Sequence, residues 1–248
     1  MTELDIPKYN TFFEDYRSLE SKFWDKKWEV EKSAFEAFQY RFFEHQKRMT
    51  EIRASEAPTY NIFSILGLGR YEVLLHSPLI KNLLDPKGSH GQGVLFLKTF
   101  FEKVLVIKYP EDQISYVRVR EEFRMESGRI DLLITYSEIG IKKAIVIENK
   151  IYARDQHNQL ARYYNYLKDF RGYAPENIIL VYLTPDGAEP TEYSMNDSKK
   201  REVEDHSTLK CVSYRNGIKD WLNHAMEQIK SEKLKSIVNQ YIVKISKL

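Results

Sequence analysis

The chain has 248 residues, 42% of them hydrophobic, which is enough for one large domain or for a domain with an extension. Its 38 basic and 36 acidic residues give a net charge of +2, so no strong field of one sign is predicted. This balance neither supports nor excludes DNA binding. The single cysteine, Cys211, excludes an internal disulfide and a cysteine-rich zinc site.

The amino terminus lacks the basic and apolar regions of a signal peptide. We find no apolar run of the ~18 residues that would predict a membrane span. We therefore expect a soluble cytoplasmic protein that does not act at a membrane, with Cys211 as a small buried hydrophobe.

Residues 4–55 contain no glycine, and the pattern predicts helix throughout. One aromatic-rich stripe has 4-3-4 spacing: Phe12, Tyr16, Leu19 and Phe23. A second stripe is displaced from the first by two positions: Phe35, Phe38, Phe42, Met49 and Ile52. The displacement predicts a bend or two helices. We expect this extension, residues 1–57, to pack on the rest of the chain or on a second copy in a homodimer.

Residues 58–248 form the predicted second domain. Two helices are expected first, at 71–84 and 94–107. Strands at 115–125, 129–136 and 142–148 follow, then a helix at 155–170 and a strand at 177–183. A polar loop at 184–207 precedes a strand at 210–214 and two helices. This order predicts an α/β domain with a central mixed sheet flanked by helices.

Three charged residues occur where this domain should be most apolar. The run Ala144-Ile145-Val146-Ile147 does not alternate, so its strand should be covered on both faces. Glu148 and Lys150 end the strand and should point the same way. Asp131, on the preceding strand, supplies a second carboxylate. Two carboxylates suit Mg²⁺ or Mn²⁺, and a nearby lysine stabilises charge that develops on a phosphate.

A chance origin is the alternative, because acidic residues near strand ends are common and short motifs give false positives. The context favours chemistry, since unpartnered charges on a buried strand are costly. The arrangement resembles the PD-(D/E)XK nuclease superfamily over residues 60–225. The resemblance implies a restriction-endonuclease-like αβββαβ core, in which Asp131 and Glu148 bind the metal and Lys150 is catalytic. Ile130 stands where the family motif has proline.

Further site residues follow from the same resemblance. Gln159 and Tyr163, four apart on one helix face, look like the Gln-x-x-x-Tyr element of RecB-like nucleases. In that element the glutamine holds a water or the scissile phosphate, and the tyrosine contacts the DNA backbone. Gln156 lies on the same face, and Arg129 precedes Asp131 by two residues. We predict Tyr163, Gln156 and Arg129 as nucleic-acid contacts and Gln159 as catalytic. Stretches around residues 76–91 and 213–222 look like an uncharacterised bacterial subgroup.

The family usually supplies one more acid from its first core helix. Glu72 is the predicted third metal-site acid, because it lies near the helix face that carries the leucines. Asp85 and Glu102 are the other candidates. His76 is one turn from Glu72, a spacing that suggests a hydrogen bond between the two side chains. An ordinary first-turn glutamate, favoured by the helix dipole, is the alternative for Glu72.

The predicted function is a Mg²⁺- or Mn²⁺-dependent DNA endonuclease with little sequence specificity, acting in defence against foreign DNA. A non-catalytic binding module on the same fold and an RNA nuclease are the alternatives. Defence rests on family analogy.

Overall fold

A computed structural model describes residues 6–57, 59–206 and 208–248. Its contacts divide the chain into two compact units, one ending at Tyr60 and one beginning at Asn61. Pro58, the predicted start of the second domain, lies outside the described residues. In the described ranges no helix is long and apolar enough to cross a membrane.

The first unit is one helix, α1, which spans Ile6–Glu56. Of the two predicted alternatives, two separate helices are wrong, because the 51 residues form one continuous helix with neither an internal glycine nor an internal proline. The bend stays a prediction. Pro7 is in the first turn, where its missing N–H breaks no helical bond. At 1.5 Å per residue the helix is about 77 Å long. Large apolar side chains 47–68% exposed run along it: Phe12, Phe13, Tyr16, Leu19, Phe23, Trp24, Trp28, Val30, Phe35, Phe38, Tyr40, Phe42 and Phe43.

The second unit contains a five-stranded mixed sheet, and it confirms the predicted α/β fold. The strands, which lie side by side in chain order, are β1 (Ile114–Met125), β2 (Gly128–Glu138), β3 (Ile141–Asn149), β4 (Ile178–Thr184) and β5 (Thr208–Ser213). β1, β2 and β3 pair antiparallel, whereas β3, β4 and β5 pair parallel. The carboxyl end of β3 therefore lies between an antiparallel neighbour, β2, and a parallel neighbour, β4.

Helices cover the sheet. They are α2 (Ile62–Ile65), α3 (Ser77–Leu84), α4 (Leu95–Phe100), α5 (Gln159–Asn165), α6 (Asp197–His206), α7 (Lys219–Met226) and α8 (Glu232–Ile245). Short 3₁₀ segments are Leu68–Arg70 and Pro175–Asn177. π-helical turns adjoin four of the helices: Glu72–His76 before α3, Phe101–Leu105 after α4, Tyr166–Phe170 after α5 and Tyr214–Ile218 before α7.

β3 is buried on both faces, as its sequence predicts. Ile145 and Ile147 belong to a core shared with α3, α4, α7 and α8. Ala144 and Val146 belong to a second core shared with α5 and α6. All four side chains are at most 1% exposed. Residues that follow on β3 are therefore directed alternately toward one or the other of these helical layers.

Three local predictions are wrong. The helix expected from residue 155 begins at Gln159, because the Asp155 carboxylate accepts bonds from Tyr182 and Thr191 and holds the chain outside the helix. The predicted polar loop contains α6, which buries Val203 against the sheet. Cys211 is exposed, because β5 directs its neighbour Val212 into the core instead.

Candidate active site

Glu148 and Lys150 meet at the carboxyl end of β3. Lys150 Nζ lies 2.9 Å from Glu148 Oε1, and the two side chains are 8% and 1% exposed. The backbone N–H of Lys150 donates to the Leu183 carbonyl of β4 at 2.8 Å, and its Nζ donates to the Arg154 carbonyl at 3.2 Å. A lysine held in this way presents a fixed positive charge at the sheet edge.

Asp131 joins this pair from β2. Its Oδ2 accepts the backbone N–H of Asn149 at 2.8 Å, directly beside Glu148. Burial raises the pKa of Asp131 to about 6, although the Asn149 N–H and the charge of Lys150 oppose that rise. The predicted carboxylates and lysine are therefore brought together by adjacent strands.

Gln159 and Tyr163 of α5 enclose Glu148. Gln159 Nε2 donates to Glu148 Oε1 at 2.7 Å, and Tyr163 Oη lies 3.0 Å from Glu148 Oε2. Tyr163 Oη also donates to the Arg129 carbonyl at 2.6 Å. A phenol has one proton, so the Glu148 contact is best satisfied when Glu148 is the donor. Burial, followed by repulsion from Asp131, raises the pKa of Glu148 to about 8, which fits that arrangement.

Glu72 holds the loop that follows Lys150. Its Oε1 accepts three backbone N–H groups, from Ile151 at 2.6 Å, Tyr152 at 2.8 Å and Ala153 at 3.1 Å. Its negative charge also helps to raise the pKa of Asp131, although burial is the main cause. Within the described ranges no group of three or more histidine, cysteine or acidic residues has metal-binding spacing. Through these bonds Glu72 holds the backbone that follows Lys150, and its role as a third metal-site acid stays a prediction.

The other candidate acids are engaged elsewhere. Asp85 Oδ1 accepts the Lys87 N–H at 3.0 Å, and its Oδ2 pairs with Lys81 at 3.1 Å, so this residue shapes the turn after α3. Glu102 lines a separate cavity of about 350 Å³ together with Lys98.

The three predicted nucleic-acid contacts lie in different surroundings. Tyr163 is fully buried, and this placement favours holding Glu148 over contacting the DNA backbone. Gln156 is exposed, and its Oε1 accepts from Arg162 Nη2 at 3.2 Å. Arg129 is half exposed and forms an ion pair with Glu122.

A buried polar network on the opposite face of β3 was not found from the sequence. Asn149 Nδ2 donates to Ser77 Oγ at 3.0 Å, and Tyr214 Oη donates to Asn149 Oδ1 at 2.8 Å. Tyr214 is hydrogen-bonded with Tyr241, whose Oη lies 2.8 Å from His76 Nδ1. The network therefore connects α8 to the residue between Glu148 and Lys150, through partners that are far apart in the sequence.

His76 is a structural member of that network. Its Nε2 lies 3.3 Å from the Gly69 carbonyl, so it does not form the hydrogen bond to Glu72 that its spacing suggested. Burial lowers its pKa to about 4, which keeps the ring neutral near neutral pH. A lone histidine on a helix is more often a hydrogen-bonded structural residue than a functional one, and His76 follows that rule.

Glu122 is a further acid near the site. It lies on β1 between the pairs Glu121↔Leu132 and Phe123↔Ile130, and hence across from Asp131. Its backbone φ of 50° is left-handed, which is unusual for a glutamate and locally distorts the strand. No local sequence signal identifies such a residue, because only strand pairing places it beside Asp131.

The donor set fits a hard divalent cation. The Glu148 carboxylate is buried, that of Asp131 is half-buried, and both have raised pKa values, so a bound cation would offset the cost of ionising both. Mg²⁺ commonly uses one or two protein carboxylates and keeps several waters, so a third protein acid is not required.

Comparison with known proteins supports the same assignment. The sequence model of the PD-(D/E)XK nuclease superfamily matches residues 60–243, about three quarters of the 248 residues. No curated protein and no solved structure matches the chain. The match includes the whole sheet and every residue of the candidate site. Enzymes of this family are nucleases that generally use divalent metal ions. The chain therefore belongs to the PD-(D/E)XK nuclease superfamily.

Proposed function

We propose that the protein is a Mg²⁺-dependent DNA endonuclease that hydrolyses phosphodiester bonds with little sequence specificity. The observation that carries this proposal is the convergence of Asp131, Glu148 and Lys150 at the end of β3. Manganese is the alternative ion, because it accepts the same oxygen ligands. A role in defence against foreign DNA is proposed from family analogy alone.

We propose Asp131 and Glu148 as the residues that hold the metal. When bound, such an ion polarises the phosphoryl oxygen and lowers the pKa of a coordinated water. Glu148 must then release the proton that burial favours, and Lys150, 2.9 Å away, stabilises its ionised form.

The chain's own residues supply the remaining chemistry. The Lys150 ammonium is positioned to orient a water and to stabilise negative charge on the phosphate. Gln159 fixes the Glu148 carboxylate through one N–H, and its second N–H donates to Tyr163 Oη at 2.9 Å. These contacts limit rotation of Glu148, so its orientation is set before substrate arrives.

Glu72 is proposed to act in two ways. It holds the backbone of residues 151–153 behind Lys150, and its charge contributes to the potential at Asp131. We propose that Glu72 acts on the metal indirectly, by positioning a water bound to it, since three N–H groups already occupy its Oε1. Arg129 and Gln156 are proposed to contact DNA from the exposed rim.

The deciding experiment incubates the purified full chain with supercoiled plasmid, linear duplex, single-stranded DNA and RNA. Each substrate is tested with Mg²⁺, with Mn²⁺ and with excess EDTA, beside a Lys150→Ala control. Metal-dependent nicking of plasmid by the wild type alone is expected. Cleavage of RNA but not DNA would favour an RNA nuclease, and binding without any cleavage would favour a non-catalytic module.

Two wider proposals concern the setting. Self-association through α1 is proposed because its aromatic side chains are exposed in the single chain. Action in the cytoplasm is proposed because the one cysteine cannot form an internal disulfide.

A further inference from the structure

A cavity of about 600 Å³ lies between the β1–β2 turn and the end of α5. Arg124 and Met125 line one side, and Arg162, Tyr166 and Phe170 line the other. We call it the stacking pocket. Its volume falls within the roughly 300–1,000 Å³ typical of pockets for small organic ligands.

The aromatic wall of the stacking pocket is preorganised. The rings of Tyr166 and Phe170 are stacked, with centroids 6.2 Å apart and planes inclined by 23°. Tyr166 also packs against Phe123 of β1 at 6.1 Å. Phe170 nevertheless remains 76% exposed, an unusual position for a phenylalanine in the body of a domain. The pocket thus offers a fixed flat ring to a planar ligand.

The charge of the stacking pocket suits an anion. Among the described residues, neither Arg124 nor Arg162 forms an ion pair with an acid. Arg162 Nε is buried and has no hydrogen-bond partner in the described part of the chain, whereas Nη1 and Nη2 donate to the His157 carbonyl and to Gln156 Oε1. The exposed Glu126 carboxylate also lines the pocket and leaves the two guanidinium groups in excess. Guanidinium groups recognise phosphate through paired hydrogen bonds.

Two chain segments that line the stacking pocket continue directly into residues around Glu148. Arg162 precedes Tyr163, whose Oη lies 3.0 Å from Glu148. The hairpin turn leads through Gly128 to Arg129, whose carbonyl accepts from that same hydroxyl. A nucleic-acid strand cut beside Glu148 would therefore carry its neighbouring nucleotides past this pocket.

We propose that the stacking pocket holds an unpaired base of the DNA strand that is cut, stacked on Phe170, with adjacent phosphates bound by Arg124 and Arg162. A flat ring beside two guanidinium groups that have no acidic partner among the described residues matches a nucleotide, which combines a planar base with an anionic phosphate. Bases inside a duplex are already stacked on both faces, so an unpaired base is the form that gains from this ring. The inference rests on the proposed nuclease function and names the form of its substrate.

The test uses single-stranded DNA oligomers that carry one 2-aminopurine at successive positions, bound to the full chain in EDTA. Stacking on Phe170 should quench the fluorescence at one position. Phe170→Ala should remove that quenching and weaken binding by about tenfold, which is within the range for losing one base–aromatic stack. Because Phe170 is 76% exposed, its removal should leave the thermal unfolding midpoint unchanged.

Tyr116→Ala is the matched control. Tyr116 is a 49% exposed aromatic residue of β1. It is eight residues from Arg124, or about 26 Å along the strand, and should bind DNA as the wild type does. Arg124→Ala should reduce the slope of log affinity against log salt by about 0.7, as expected for one lost phosphate contact with a single strand.

Equal quenching and affinity in Phe170→Ala and the wild type would overturn the proposal, as would failure of the wild type to bind single-stranded DNA. Metal-dependent cleavage that continues in that case would leave the nuclease function standing. Quenching that depends on Phe170, in a protein without metal-dependent cleavage, would support the pocket while removing the nuclease function.

Discussion

The backbone N–H of Asn149 donates to Oδ2 of Asp131 across 2.8 Å, and it thereby fixes the β2 carboxylate beside Glu148. The donor is a main-chain group within the sheet, so it persists when side chains nearby are replaced. Single substitutions of the three charged residues should therefore change the chemistry of the site and leave its frame in place.

Asp131→Ala, Glu148→Ala and Lys150→Ala should each lower the rate of DNA cleavage by at least about a thousandfold, because each removes a proposed metal ligand or the charge proposed to stabilise the phosphate. Initial rates on plasmid measure the effect, and circular dichroism checks the fold. Cleavage that persists in excess EDTA, or in the Glu148 variant, would contradict the assignment.

Stability of the metal-free protein should fall with rising pH. Burial raises the pKa of Glu148 from 4.5 to about 8, so between these values the folded state holds a proton that the unfolded chain has released. Folding stability is then fully present below pH 4.5 and declines toward pH 8. Glu148→Gln should flatten the decline above pH 6, where Asp131 has largely ionised. Chemical unfolding in EDTA at several pH values measures the free energy of unfolding. If this free energy falls equally with pH in the wild type and in Glu148→Gln, the prediction is refuted.

Glu72→Gln and Glu72→Ala should differ. The glutamine oxygen still accepts the N–H groups of Ile151, Tyr152 and Ala153, whereas alanine leaves them unpaired. We expect Glu72→Gln to keep the fold but to need several-fold more Mg²⁺, and Glu72→Ala to lose stability by about 1–3 kcal/mol as well. Mg²⁺ titrations of cleavage, with thermal unfolding, separate the two roles. An unchanged Mg²⁺ requirement in Glu72→Gln would limit the residue to holding backbone.

The full chain should self-associate through α1, because rings such as Phe23 and Phe42 are 63% and 47% exposed in the single chain. Light scattering should report a dimer at micromolar concentration, and the double variant Phe23→Glu, Phe42→Glu should shift it toward monomer. A soluble, monomeric and fully active protein lacking residues 1–57 would show that α1 packs neither on the domain nor on another copy.

Tyr214→Phe should destabilise the protein by about 1–3 kcal/mol, because it removes the donor to the buried Asn149 Oδ1. Tyr164→Phe is the matched control, since the Tyr164 hydroxyl is equally buried but has no hydrogen-bond partner. That variant should be neutral or slightly stabilising. Equal effects in urea unfolding would mean that the network contributes nothing through its hydrogen bonds.

The central part of the fold was predictable because its signals are local. Four consecutive apolar residues from Ala144 to Ile147 require cover on both faces, and β3 has it. Helix α6 was missed because most of its residues are polar and Val203 is its one fully buried apolar residue in the described part, which gives no periodicity. The prediction of two separate helices in the first unit failed for a different reason. A shift in the apolar stripe does not interrupt a helix that has no internal glycine or proline.

The candidate site likewise has a part that local sequence patterns predict and a part that they do not. The positions of Asp131, Glu148 and Lys150 follow from strand spacing and resemblance, whereas the contacts of Asn149 with Tyr214 join residues 65 positions apart. Glu122 meets Asp131 through pairing of strands rather than through any motif. Neither has a sequence signature, because topology alone creates these contacts.

The connection from Tyr241 to the active strand has a consequence for biosynthesis. Ribosomes make the chain from its amino end, so β3 emerges long before α8, which supplies Tyr241. Until α8 docks, His76 and Tyr214 lack Tyr241 as a hydrogen-bonding partner, and the layer behind Asn149 is incomplete. Nuclease competence should therefore arise late in synthesis, so that an unfinished chain cannot damage the nucleic acids of the cell that makes it.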